Sequence, residues 1–224
     1  MIFFCGDVHG QFSHVIAAVK QHRPDAIVLL GDLQAPEPLE RVLAEIIGLT
    51  EVWYIHGNHD TDGTRDYCNL WESGLADRNL HGRVVEIAGV RVAGLGGIFR
   101  GHIWMPPAHP VYASPEHYLQ HCGKVNQWRG GLPRKQRSSI FYVDYQALLH
   151  EKADVLVTHE APSCHPWGFS ALDRLGHSLG VQKSFHGHQH DSLDYREHDQ
   201  RLGFQAYGVA LRAIMDENGN DVVM

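Results

Sequence analysis

Five short apolar runs in this chain each end in a residue able to hold a metal ion, and that repeated pattern constrains the fold more than any other feature. Phe3-Phe4-Cys5-Gly6 leads to Asp7, with His9 two residues on. Val28-Leu29-Leu30-Gly31 leads to Asp32. Trp53-Tyr54-Ile55-His56-Gly57 leads to Asn58 and His59. Val155-Leu156-Val157-Thr158 leads to His159, and Ser184-Phe185-His186-Gly187 leads to His188 and His190. In four of the five, a glycine directly precedes the donor, where the chain must leave a sheet and pass close to a site. Apolar runs joined by helices indicate a largely parallel α/β sheet. Parallel strands present their carboxyl ends on one edge, where such folds bind ligands, so donors from both ends of the chain converge there.

The rest of the sequence fits that frame. Apolar positions Phe12, Val15, Ile16 and Val19 predict a helix after the first run. Leu39, Val42, Leu43, Ile46 and Ile47 predict another after the second, with Pro36 and Pro38 in its first turn. A third is expected over 64–73. Ala88-Gly89 between Arg83–Ile87 and Val90–Ala93 reads as a hairpin turn, and Asn218-Gly219 as the turn of a C-terminal one. The 224 residues, 43% hydrophobic and 20% charged, suit one core-forming domain and exclude wholesale disorder. We read a single domain over 1–224, with residues 98–150, rich in Pro, His and Trp, as an insertion able to cap the site. No apolar run reaches the ~18–20 residues of a membrane span. Ile2-Phe3-Phe4-Cys5 is too short for a signal peptide's apolar region, so none is expected, and the four cysteines form no CxxC pair, so the expected compartment is the cytoplasm. A net charge of −7 speaks against a nucleic-acid packaging protein.

Two Asp, one Asn and four His, with no thiolate, suit Mn²⁺, Fe or Zn²⁺ rather than Ca²⁺, which takes oxygen alone. Seven donors are too many for one ion that keeps an open position, and the right number for two if one Asp bridges them. His188 and His190 alternate as strand residues do, which puts both on one face.

These residues resemble the motifs of the calcineurin-like metallophosphoesterases: Asp7-Val8-His9-Gly10, Gly31-Asp32, Gly57-Asn58-His59-Asp60, Thr158-His159 and Gly187-His188-Gln189-His190, all in the family's order. The resemblance implies a four-layer α/β/β/α sandwich of two mixed sheets. It implies one ion held by Asp7, His9, Asp32 and His190, and a second held by Asp32, Asn58, His159 and His188. Mn²⁺ is the expected metal, with Fe, Zn²⁺ or Ni²⁺ as substitutes. A metal-bridging hydroxide would attack phosphorus in line, and two ions would clamp the anionic substrate. His59 resembles the family's group that protonates the leaving alkoxide, a role suited to imidazole.

The implied activity is hydrolysis of phosphate monoesters or diesters, on a small phosphorylated substrate such as a nucleotide. The phosphoprotein-phosphatase branch has Asp and Arg where this chain has Ala35 and Pro36, which disfavours that branch and leaves His59 without its usual orienting acid. Asp60 is the nearest carboxylate to support it. Arg65 and Arg100 are candidates to grip phosphate. Lys124, Arg129, Arg134, Lys135 and Arg137, with Trp128 among them, read either as a cationic cap or, more plainly, as a solvated loop. The rival functions are a nuclease or nucleotide pyrophosphatase of the same family, and a non-catalytic metal-binding scaffold. Scaffold versions tend to lose the catalytic His, which stands here as His59.

Overall fold

The computed structural model describes residues 1–222. Among these described residues, nine strands form two mixed sheets. The first has the order β3-β2-β1-β9, built from β1 (Ile2–Cys5), β2 (Ala26–Leu29), β3 (Glu51–Tyr54) and β9 (Ile214–Asp216). The second has the order β4-β5-β6-β7-β8, built from β4 (Arg83–Ile87), β5 (Val90–Leu95), β6 (Val155–Thr158), β7 (Lys183–His186) and β8 (Gln205–Gly208). All neighbours run parallel except β9 on β1 and β4 on β5.

Strand alternation separates three layers of core. Ile2 and Phe4 of β1 face the other sheet, beside Val28, Trp53, Val92, Val157 and Phe185. Phe3 and Cys5 face outward, onto Val15 and Val19 of α1 (Ser13–His22), Leu39 of α2 (Leu39–Val42) and Leu70 of α3 (Thr64–Trp71). The far side of the second sheet is closed mainly by the later helices α5 (Tyr142–Leu148), α6 (Ser170–Leu179) and α7 (Asp199–Leu202), while α4 (Pro115–His121) carries no buried residue. The molecule is therefore the expected α/β/β/α sandwich. Phe4 and Phe185 stack across the sheet interface with ring centroids 3.8 Å apart, and Tyr207 stacks on the other side of Phe185 at 5.0 Å. Phe185→Ala is expected to lower unfolding free energy by about 3–5 kcal/mol in urea denaturation, through lost transfer energy plus a cavity.

Three local readings are corrected. The helix expected from Leu39 to Ile47 is regular only to Val42. Beyond it the Ala44, Ile46 and Leu49 amides bond to carbonyls three residues back, and this tighter winding leaves Ile47 exposed. The C-terminal hairpin is confined to β9, which folds back antiparallel on residues 220–222 with Met215 bridging Asp221, while β8 belongs to the second sheet in parallel and β9 to the first. The Asn218-Gly219 turn does form, after β9. His188 and His190 do not alternate along a strand, because β7 ends at His186 and both residues take left-handed backbone, φ 67° and 61°.

Residues 98–150 lie over the second sheet's outer face, where Phe99, Ile103, Trp104, Ile140, Phe141, Tyr145 and Leu148 are buried. Among the described residues no helix is long and apolar enough to cross a membrane.

Candidate metal centre

The donor residues follow the carboxyl ends of β1, β2, β3, β6 and β7, so strands of both sheets deliver them to one place. Their ligand atoms fall into two groups that share one residue: Asp7, His9, Asp32 and His190, and Asp32, His159 and His188. Asn58 joins the second group, its Oδ1 lying 3.3 Å from His159 Nε2. All seven sequence-selected donors are thus together.

Close approach explains the glycines. A Cβ on Gly57 would overlap Asp32 Oδ1 and the Asp32 amide. On Gly31 it would strike the His159 ring, and on Gly187 the Asp7 carboxylate. The turns they lead into are strained: His9, Asp32, Gln34, His188 and His190 all have positive φ, costly for residues with a side chain. Hydrogen bonds hold them. His9 N–H donates to the Asp32 carbonyl at 3.0 Å, and His188 N–H donates to Asp7 Oδ2 at 2.9 Å. Asp60 is fully enclosed, accepting from the Gly57 amide on one oxygen and the Gln34 amide on the other, each at 2.8 Å.

Ring tautomers are set by outer partners, which turn the remaining nitrogens inward. His159 Nδ1–H donates to the Leu30 carbonyl at 2.8 Å, leaving Nε2 toward Asn58 Oδ1 and toward Asp32 Oδ2 at 3.4 Å. His9 Nδ1–H donates to Gln34 Oε1 at 2.7 Å, leaving Nε2 only 3.1 Å from His190 Nε2. His190 Nε2 is 3.0 Å from Asp7 Oδ2, while Asp7 Oδ1 is buried without a hydrogen-bond partner among the described residues. Imidazole nitrogens and carboxylate oxygens therefore crowd together across the centre, with His9 and His190 Nε2 3.1 Å apart, an arrangement that divalent cations suit. Burial alone would lower the pKa of His159, but Asp32 and then Asp7 lift it to about 10. Against its own burial, Asp32 is held below the usual carboxylate range by that imidazolium.

The surrounding residues differ from expectation in instructive ways. His59 stands at the rim with its side chain 45% exposed, and its backbone amide donates to Asp32 Oδ1 at 2.8 Å. Asp60 does not support it, because adjacent side chains diverge and this carboxylate is committed beneath the loops. Burial, then the nearby Asp32, push Asp60 up to about 7. Asp62, unselected from the sequence, meets the ring instead: its Oδ2 is 2.5 Å from His59 Nδ1.

Arg65 is 72% exposed, and its guanidinium lies 3.7 Å from Asp66. Arg100 is half-buried, donates to Ser138 Oγ at 3.2 Å and has Asp62 and Glu160 as its acidic neighbours. Glu160 also escaped sequence reading. Its Oε1 accepts from the Phe99 amide at 3.1 Å and its Oε2 lies 3.9 Å from His188 Nε2, and burial pushes it up to about 7. The arginines of the basic stretch are used internally. Arg129 pairs with Glu72 and lies over Trp128, Arg137 donates to Tyr67 Oη at 2.7 Å, and Arg134 grips the turn that carries His59.

Residues 1–192 match the sequence model of the calcineurin-like phosphoesterases. An uncharacterized protein of Haemophilus influenzae is 42% identical over 220 residues, 98% of this chain and 95% of that one. Among solved structures, TT1561 of Thermus thermophilus is similar with a TM-score of 0.58 at 14% identity, covering 99% of this chain and 96% of that chain. A second solved structure is similar with a TM-score of 0.56, also at 14% identity, over 97% and 95% of the two chains. At that identity the likeness speaks to the fold alone.

Proposed function

This chain belongs to the calcineurin-like phosphoesterase family, and on that premise we propose that it hydrolyses phosphate esters with a pair of divalent cations. The observation that carries the reading is the pair of donor groups sharing Asp32. Asp7, His9, Asp32 and His190 would hold one ion, and Asp32, Asn58, His159 and His188 the other. Bound there, the ions would supply an activated water and neutralise phosphoryl charge.

The chain's own residues do the rest. Asp32 fixes the spacing between the two groups. Asp60 and Gln34 hold the two loops rigid, so the donors need not reorganise on binding. His59 is not needed as a donor and stands at the rim, where its Nε2 can give a proton to the leaving oxygen. Arg100, with a half-buried guanidinium whose Nε lacks a hydrogen-bond partner among the described residues, would meet a phosphoryl oxygen. Mixed carboxylate, amide and imidazole donors favour Mn²⁺ over Ca²⁺. The substrate is a small phosphorylated molecule, since the arginines of the basic stretch, which a nucleic-acid strand would need, are engaged within the protein. His59 and the full donor set favour an enzyme over a scaffold.

A panel of p-nitrophenyl phosphate, bis-p-nitrophenyl phosphate and cyclic and linear nucleotides, each with Mn²⁺ and with chelator, tests the reading. Chelator-sensitive turnover of at least one ester is expected. No turnover of any, with two equivalents of metal bound, would leave the scaffold reading in its place.

A further inference from the structure

Asp62 lies outside every motif that marked the site, yet its carboxylate is the group that meets His59. We propose that Asp62 is the positioning residue for His59, and that Arg134 holds Asp62 in place. The proposal deepens the phosphoesterase reading and rests on it for the role given to His59.

An ion pair between side chains 45% and 47% exposed, three residues apart, would ordinarily count for little. Here the backbone beneath it is pinned. Arg134 Nε donates to the Thr61 carbonyl at 3.0 Å, Nη2 to the Asp62 carbonyl at 2.7 Å, and Nη1 to Thr64 Oγ1 at 2.9 Å. One planar fork thus spans the turn that follows His59. Ser138, from the same 98–150 segment, adds a hydrogen bond at 2.7 Å between its hydroxyl and that of Thr61. The neighbouring carboxylates of this turn are engaged elsewhere. Asp60 is committed to two backbone amides, and Asp66 lies against Gly63 and Arg65. The 98–150 segment therefore contributes to the site by fixing the turn that presents His59.

The chemistry follows. Asp62 takes the Nδ1–H of His59, which fixes the ring's orientation and leaves Nε2 turned toward the leaving oxygen. Water adds its oxygen to phosphorus, and the ester P–O bond breaks with its electron pair on the leaving oxygen. Nε2 gives its proton to that oxygen, and the ring is left neutral with Nδ1–H still on Asp62. Water's own proton passes to solvent, and a solvent proton restores Nε2.

A basic leaving group needs that proton and p-nitrophenolate scarcely does, which separates a positioning role from a merely structural one. Asp62→Asn is expected to lower kcat on phenyl phosphate about 10- to 100-fold, and on p-nitrophenyl phosphate much less, with KM and metal content unchanged. Arg134→Lys, which keeps the charge and loses the fork, should show the same selectivity with a smaller loss. Equal losses on both esters, or none, with metal retained, would overturn the proposal. Independently of activity, ¹⁵N-histidine spectra of the full chain without added metal should show neutral His59 as the Nδ1–H tautomer, and Asp62→Ala should abolish that preference. An Nε2–H tautomer in the parent protein, or one indifferent to Asp62→Ala, overturns the contact. If the parent protein hydrolyses no ester with any metal, the phosphoesterase reading falls, while the tautomer still decides whether Asp62 positions the ring.

Discussion

Asp32→Ala is expected to cost the protein both cations at once and to lower ester hydrolysis on the order of 10⁴-fold. This is the size that follows when several kcal/mol of charge stabilisation are lost at 1.36 kcal/mol per tenfold in rate. The size comes from position. Asp32 is the one residue common to both donor groups, so neither ion keeps its full set without it. Metal content and folding are read separately. In the metal-free protein Asp32 is a buried carboxylate whose proximity helps to raise Asp60, so its removal relieves repulsion as well as breaking the pair with His159. Thermal denaturation without metal reports the balance of those two effects, while the rise in Tm that metal gives the parent protein should vanish. Asp32→Asn, which retains an acceptor for the His59 amide, controls for that hydrogen bond and should also lose metal. Two equivalents of metal retained in either variant, by elemental analysis, would refute the shared position. Gly57→Ala should reach a similar result by another route, since its Cβ would collide with Asp32 and the His159 ring.

The residues in that argument were legible in sequence for a physical reason. A donor at a strand's end must be reached through a tight turn, and glycine followed by Asp, Asn or His recurs because the backbone passes within contact of the next donor. Gly6 shows the same constraint at a backbone contact, where a Cβ would meet the carbonyls of Val209 and Ala210. The two-sheet division was not readable from alternation, because Ile2, Phe3, Phe4 and Cys5 are all apolar and all buried. Only the tertiary structure assigns alternate residues to the inter-sheet core and to the helices. Resemblance supplied what periodicity could not. β8 was obscured because Gln205-Ala206-Tyr207-Gly208 carries no apolar run.

The second tier of the site was hidden for a different reason. Gln34, Asp62, Glu160 and Arg134 are polar residues in turns, and nothing local distinguishes them from solvated ones. Three of these roles arise from partners far along the chain, Gln34 with His9, Glu160 with the Phe99 amide and Arg134 with Thr61, while Asp62 meets His59 only because the turn between them is held. Asp60 shows the converse. Sequence adjacency suggested that it serves His59, whereas its burial and two amide partners make it a brace between loops. His81 likewise gains its setting from afar, its ring packing 4.8 Å from that of buried His56 and 3.4 Å from Asp144.

His59→Ala should leave metal content intact and slow turnover by about 10²- to 10⁴-fold, the loss growing with the basicity of the leaving group. Metal is expected to survive because His59 lies outside both donor groups, contributing only its backbone amide to Asp32, and alanine keeps that amide. Folding should be little affected, since the ring is half exposed and its ring partners are His9, across the rim at 5.6 Å, and Asp62. The ester series decides between roles. A ring that merely attracts the anionic substrate would change KM and treat phenyl and p-nitrophenyl phosphate alike. A proton donor changes kcat and discriminates between them, because p-nitrophenolate departs readily without protonation. Asp62→Asn should fall on the same line with a smaller loss, the donor being present but no longer held. The double variant should be no worse than His59→Ala alone, since Asp62 has nothing left to position. Additive losses in that double variant would place Asp62 and His59 in separate roles, and an unchanged kcat in His59→Ala would take the imidazole out of the mechanism.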